Sequence, residues 1–102
     1  MSVKSVSENN FETLKGENKI LLLDFYADWC GPCRMVSPVI DEIAEERRDI
    51  AIGKVNVDKE SGLASLFGIY SIPTLVVIKD GKEAARAVGA RSKKQIIELV
   101  EN

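Results

Sequence analysis

The chain contains two cysteines, and both fall in one stretch, Trp29-Cys30-Gly31-Pro32-Cys33. Thiols at this spacing on a helix's first turn lie on the same side, close enough for their sulfurs to bond or part with little backbone movement. Such a pair can store and release two electrons. The two thiols are not equivalent on this reading. Cys30 stands at a strand-to-helix turn, where the unpaired N–H groups and aligned peptide dipoles of a helix N-terminus favour negative charge. The thiolate is the attacking species, so Cys30 is expected to be an exposed nucleophile and Cys33, one turn further in, a shielded resolving thiol. Gly31 permits close backbone approach, and Pro32 suits the first helical turn, where its missing N–H costs nothing. The same spacing also serves zinc, but a structural zinc needs four ligands and the chain has no histidine and no further cysteine. No metal or other cofactor is expected beyond the dithiol itself.

What must position such a pair is a domain with one core. At 102 residues and 45% hydrophobic composition, one domain over residues 1–102 is expected, with too little chain for two. The formal charge is −2, and the 14 basic residues are scattered or paired with acids, so nucleic acid is not an expected partner. The N-terminus lacks an export pattern, and the longest apolar run, residues 20–27, is short and interrupted by Asp24. A protein of the cytoplasm with no membrane association follows as the expectation. One cysteine pair so close in sequence constrains the unfolded chain very little, which favours a catalytic over a stapling role.

Strand and helix signals alternate along the chain. A short strand at residues 3–6 precedes a helix capped by Ser7 and running through Phe11 and Leu14 to Gly16. Ile20–Tyr26 is nearly continuous apolar sequence of strand length, as in a central strand covered on both faces. From residue 32 to about 48, Met35, Val36, Val39, Ile40, Ile43 and Ala44 recur at helical spacing, with Pro38 inside the run as a source of a kink. A strand over residues 50–57 and a short helix over 63–67, ended by Gly68, come next. Residues 74–78 and 83–88 then flank Lys79-Asp80-Gly81-Lys82 as a β-hairpin, and Ser92 with Gln95 forms a capping box for a last helix carrying Ile96, Ile97, Leu99 and Val100. The expected architecture is a mixed sheet of about five strands flanked on both faces by about four helices, an α/β fold.

The segment from Asp24 to Met35 resembles the active-site segment of the thioredoxin family. Ile72-Pro73-Thr74, Lys79-Asp80-Gly81 and Val88-Gly89-Ala90 resemble later signatures of that family in the same order, so the resemblance spans nearly the whole chain. It implies the thioredoxin fold and reduction of protein disulfides through Cys30 and Cys33, with a thioredoxin reductase to restore the dithiol and a monomeric state. It further implies a buried Asp24 behind the resolving thiol for proton transfer, Lys54 nearby as a tuning charge, and Pro73 as a cis-proline opposite the cysteines. Burial in an apolar strand would raise the proton affinity of Asp24, and a lysine beside it would partly offset that. The backbone of Ile72 would pair with an extended substrate segment. Trp29, Gly31, Val57, Ile72, Val88, Gly89 and Ala90 would form a flat apolar surface around Cys30. Two positions depart from the family pattern: Tyr26 stands where many members have a second tryptophan, and Ser71 where a glycine is common.

Rival readings share the fold. An oxidase or isomerase would have the less stable disulfide, and Gly31-Pro32 between the cysteines points to the reductant instead. A glutathione-coupled buffer usually carries tyrosine where Gly31 stands. A non-catalytic partner-binding protein would use the apolar surface alone.

Overall fold

Seven residues, Ile20–Tyr26, form the central strand β2, and five of them are buried because the sheet is covered on both faces. In the computed structural model, which describes residues 3–102, β2 lies among β1 (Val3–Ser5), β3 (Ala51–Asn56), β4 (Thr74–Lys79) and β5 (Lys82–Val88) in the order β1-β3-β2-β4-β5. The expected domain includes residues 1 and 2, which lie outside the described residues. β3 is parallel to both β1 and β2, whereas β4 is antiparallel to β2 and β5. The helices are α1 (Phe11–Glu17), α2 (Gly31–Glu46), α3 (Ser61–Leu66) and α4 (Lys93–Glu101). The expected mixed five-stranded sheet with four helices is therefore the observed architecture.

Alternation along β2 sorts the core into two layers. Leu22, with Ile52, Leu75 and Val77, packs against Val36, Ile40 and Ile43 of α2 and Ile96 and Val100 of α4. Leu21, Leu23 and Phe25 face the other way, against Phe11 of α1 and Leu63 of α3. Phe67 closes that layer, with its ring 5.6 Å from Phe11 and 5.4 Å from Phe25. Among the described residues no helix is long and apolar enough to cross a membrane.

Local signals set most boundaries. Asp80 and Gly81 have φ of 51° and 83°, as a two-residue hairpin loop needs to follow the strand twist. The Ser92 hydroxyl accepts from Gln95 N–H at 3.2 Å and the Gln95 side chain accepts from Ser92 N–H at 2.9 Å, completing the capping box of α4. Lys93 joins this helix to α2 through Glu42 and Glu46. Pro38 lies inside α2 and removes the donor for the Arg34 carbonyl.

One cap differs from expectation. Asn10, not Ser7, precedes α1, and it offers no side-chain cap. Ser7 instead opens a turn: its carbonyl accepts from Asn10 and Phe11 N–H, and its hydroxyl accepts from Asn9 N–H. A serine can satisfy the backbone of a turn as readily as that of a helix, and here the turn takes it.

Candidate functional site

β2 delivers the chain to the site. After Tyr26 the backbone turns so that Cys30 N–H donates to Ala27 O at 3.2 Å, and Cys30 takes the N-cap position of α2 with an extended backbone. Gly31 and Pro32 occupy the exposed first turn, and Cys33 follows on its inner side. Cys30 and Cys33 form a disulfide with Cα atoms 5.3 Å apart. The Cys33 N–H, one of the helix's unpaired donors, points at Cys30 Sγ from 3.2 Å.

The expected contrast between an exposed and a shielded thiol is not what the structure shows. Cys30 and Cys33 are each 4% exposed, because Ala27, Tyr26, Val57 and Ile72 pack around the pair. The two sulfurs differ in their neighbours instead. Cys30 Sγ accepts from the helix N-terminus and lies 3.9 Å from the Ile72 carbonyl oxygen, whereas Cys33 borders a cavity that reaches Asp24.

That cavity has a volume of about 210 Å³ and is lined by Asp24, Tyr26, Ala27, Asp28, Cys33, Arg34, Ser37 and Lys54. Asp24 is 1% exposed, and its Oδ1 is buried without a hydrogen-bond partner. Burial pushes its carboxyl up to about 6; Lys54 opposes this and Asp41 adds to it. In the parallel register of β2 and β3, Asp24 and Lys54 are direct partners, so both side chains lie on the α2 face of the sheet. Lys54 nevertheless donates its ammonium to the Ser37 hydroxyl and lies 5.7 Å from the centre of the Tyr26 ring. Arg34 spans the mouth, donating from Nη1 to the Asp28 carbonyl at 2.7 Å.

On the opposite side of the disulfide, the Ile72–Pro73 peptide is cis, and Pro73 is buried at the head of β4. Gly89 N–H donates to Pro73 O at 2.7 Å, and Val88 pairs with Thr74, so Ile72, Pro73, Val88 and Gly89 are brought together. Val88 is half-exposed, Gly89 half-buried and Ala90 exposed. Trp29 is 69% exposed, and its Nε1–H donates to Asp58 Oδ2 at 2.9 Å, next in sequence to half-buried Val57.

Sequence reasoning did not single out Ser37, Asp58 or Asp41. Ser37 and Asp41 were within reach of it, since they follow Cys33 at successive four-residue steps along one face of α2. Asp58 had no comparable signal. Among the described residues no group of three or more His, Cys, Asp or Glu could hold a metal ion.

The reactive groups gathered here are two sulfurs that exchange a bond and a buried carboxyl with raised proton affinity, which defines a thiol–disulfide oxidoreductase. The family model described as Thioredoxin matches residues 2–102. A thioredoxin of Chlamydia pneumoniae is 42% identical over 98 residues, covering 96% of this chain and 95% of that protein. The M-type chloroplastic thioredoxin of Chlamydomonas reinhardtii is 42% identical over 95% of this chain and 71% of its own length. Among solved structures, a thioredoxin variant from Halobacterium salinarum superposes with a TM-score of 0.92 at 37% identity, covering 98% of this chain and 88% of that one. Plasmodium falciparum thioredoxin gives 0.89 at 31% identity, covering 96% of each. The chain belongs to the thioredoxin family, and the Cys30–Cys33 pair is its dithiol–disulfide redox centre.

Proposed function

We propose that Cys30 attacks, Cys33 resolves and Asp24 takes the proton from Cys33. The Cys30 thiolate attacks one sulfur of a substrate disulfide, forming a mixed disulfide and releasing the first substrate sulfur as a thiolate. Cys33 then loses its proton to the Asp24 carboxylate, directly or through a water, and its sulfur attacks Cys30 Sγ. The Cys30–substrate bond breaks, the second substrate sulfur leaves and takes up a proton, and the Cys30–Cys33 disulfide remains. Two electrons pass from this chain to the substrate. The observation that carries the reading is the unpartnered Asp24 oxygen in a cavity shared with Cys33. Lys54 tunes this carboxylate from the neighbouring strand.

On the other side of the disulfide, the Ile72 backbone beside Pro73 receives an extended substrate segment, since its carbonyl already lies against Cys30 Sγ. Trp29, Gly31, Val57, Val88, Gly89 and Ala90 supply the surrounding contact surface. Gly31 and Pro32 shape the first turn that presents Cys30. The protein works as a monomer in the cytoplasm, carrying electrons from a thioredoxin reductase to disulfide-containing proteins with no bound cofactor.

Dithiol-driven reduction of insulin disulfides tests the mechanism. The wild type is expected to accelerate it and Cys33→Ser to stall as a mixed disulfide; full turnover by that variant would refute the two-cysteine scheme. The resolving step should slow as pH falls through about 6, where Asp24 takes up its proton and ceases to be a base.

A further inference from the structure

Cys33, Ser37 and Asp41 place a thiol, a hydroxyl and a carboxyl along one stripe of α2. Opposite this stripe, Asp24 and Lys54 occupy paired positions on adjacent strands. An ammonium and a carboxylate that start from neighbouring Cα positions in a poorly solvated space attract strongly, and direct pairing is the arrangement to expect. It does not form. Asp24 Oδ1 has no hydrogen-bond partner, while the Lys54 ammonium is held by the Ser37 hydroxyl and lies over the Tyr26 ring.

We propose that Ser37 is a positioning residue: its hydroxyl fixes the Lys54 ammonium against α2, apart from Asp24, and so leaves the carboxylate free to accept the Cys33 proton. A carboxylate in a direct ion pair is a weaker base, because the pair stabilises its charged form. An entirely unaccompanied carboxylate at this burial would instead stay protonated near neutral pH. Holding the cation at an intermediate position keeps the carboxyl between those limits.

The other groups facing Asp24 do not substitute for this restraint. From α2 they are Cys33, Arg34 and Asp41, with the Arg34 guanidinium engaged by the Asp28 carbonyl. From the loop after β2 comes Asp28, and from β2 itself the Tyr26 phenol ring. The β4 partner of Asp24 is Leu75, which carries no charge.

The inference rests on Asp24 as the proton acceptor, but its test reads the carboxyl directly. The side-chain carboxyl of Asp24 is titrated by carbon-13 NMR in the oxidised protein, in the wild type, Ser37→Ala, Ser37→Thr, Lys54→Met and the Ser37→Ala/Lys54→Met double variant. In Ser37→Ala the ammonium swings to Oδ1, and the midpoint is expected to fall by about one pH unit. Ser37→Thr, which keeps the hydroxyl, restores the wild-type midpoint. Lys54→Met raises it, and adding Ser37→Ala to that variant changes nothing further. A midpoint in Ser37→Ala equal to or above the wild type overturns the proposal, as does an equal fall in the Lys54→Met background. The acid limb of the pH–turnover profile should move with the midpoint. Asp24→Asn decides the proton-acceptor role separately, since undiminished turnover in that variant removes the role whatever the titrations show.

Discussion

The two faces of β2 are equally dry and do different work. Leu21, Leu23 and Phe25 are at most 1% exposed and pack in an apolar layer with Phe11, Leu63 and Phe67. On the other face Leu22 is as deeply buried, but the next residue along, Asp24, is a carboxyl at 1% exposure with an unpartnered oxygen. On the first face, exclusion of water yields cohesion, at about 25 cal/mol for each Å² of apolar surface removed. On the second, the same exclusion opposes ionisation and thereby sets the strength of a base. Burial thus stabilises the fold on one side of a single strand and costs stability on the other, where it raises the proton affinity of Asp24.

Substitutions on the two faces should separate stability from turnover. The largest effect is expected at Cys33→Ser, which abolishes multiple turnover while leaving the fold nearly intact, because the four-residue loop it opens restrains the unfolded chain little; insulin reduction beside a denaturant melt checks both halves. Phe25→Ala should do the reverse. It leaves a void between Phe67 and the sheet and lowers stability by about 3–5 kcal/mol, with turnover per folded molecule retained.

Asp24→Asn breaks the comparison most directly, because it turns the reactive face into a non-ionising one. The folded carboxyl titrates at about 6 against 3.8 in an unperturbed chain, so the native state binds more protons than the unfolded state between these values. The contribution of this raised pKa is fully present below pH 3.8 and lost as pH rises through 6. The Asn variant should therefore gain on the wild type by about 3 kcal/mol between pH 3 and pH 8, as read from urea melts at both values. A constant difference across that range would mean that Asp24 is not buried as described. The smallest effect belongs to Ser92→Ala, which removes the cap of α4 on the same side of the sheet; it should cost about 1 kcal/mol without moving the Asp24 midpoint.

Residues whose chemistry depends on near neighbours were legible in the sequence. Cys30 and Cys33 are defined by their spacing, the Asp80-Gly81 turn by its dipeptide, and the α4 capping box by Ser92 and Gln95. Asp24 stood out because a carboxyl interrupts an apolar strand. The equal burial of the cysteines was not legible, since it depends on Val57 and Ile72 arriving from distant parts of the chain. The contact of Asp58 with Trp29 was hidden for a related reason: Asp58 looks like an ordinary surface residue until its loop meets the segment before α2, whereas Ser37 shares a helix face with Cys33 and could be picked out by spacing. Ser7 illustrates a different limit, in which turn and helix compete for one side chain and sequence does not decide between them.

Trp29 is the only tryptophan of the chain, with its ring largely in solvent and its N–H tethered to Asp58 beside the redox pair. The intrinsic emission of the protein is therefore the signal of a single indole next to Cys30, within the surface proposed above to receive substrate. A polypeptide settling over the disulfide would strip water from that ring, shifting its emission to the blue and shielding it from iodide. Stopped-flow fluorescence could then time the arrival of an unlabelled substrate separately from the thiol chemistry that follows.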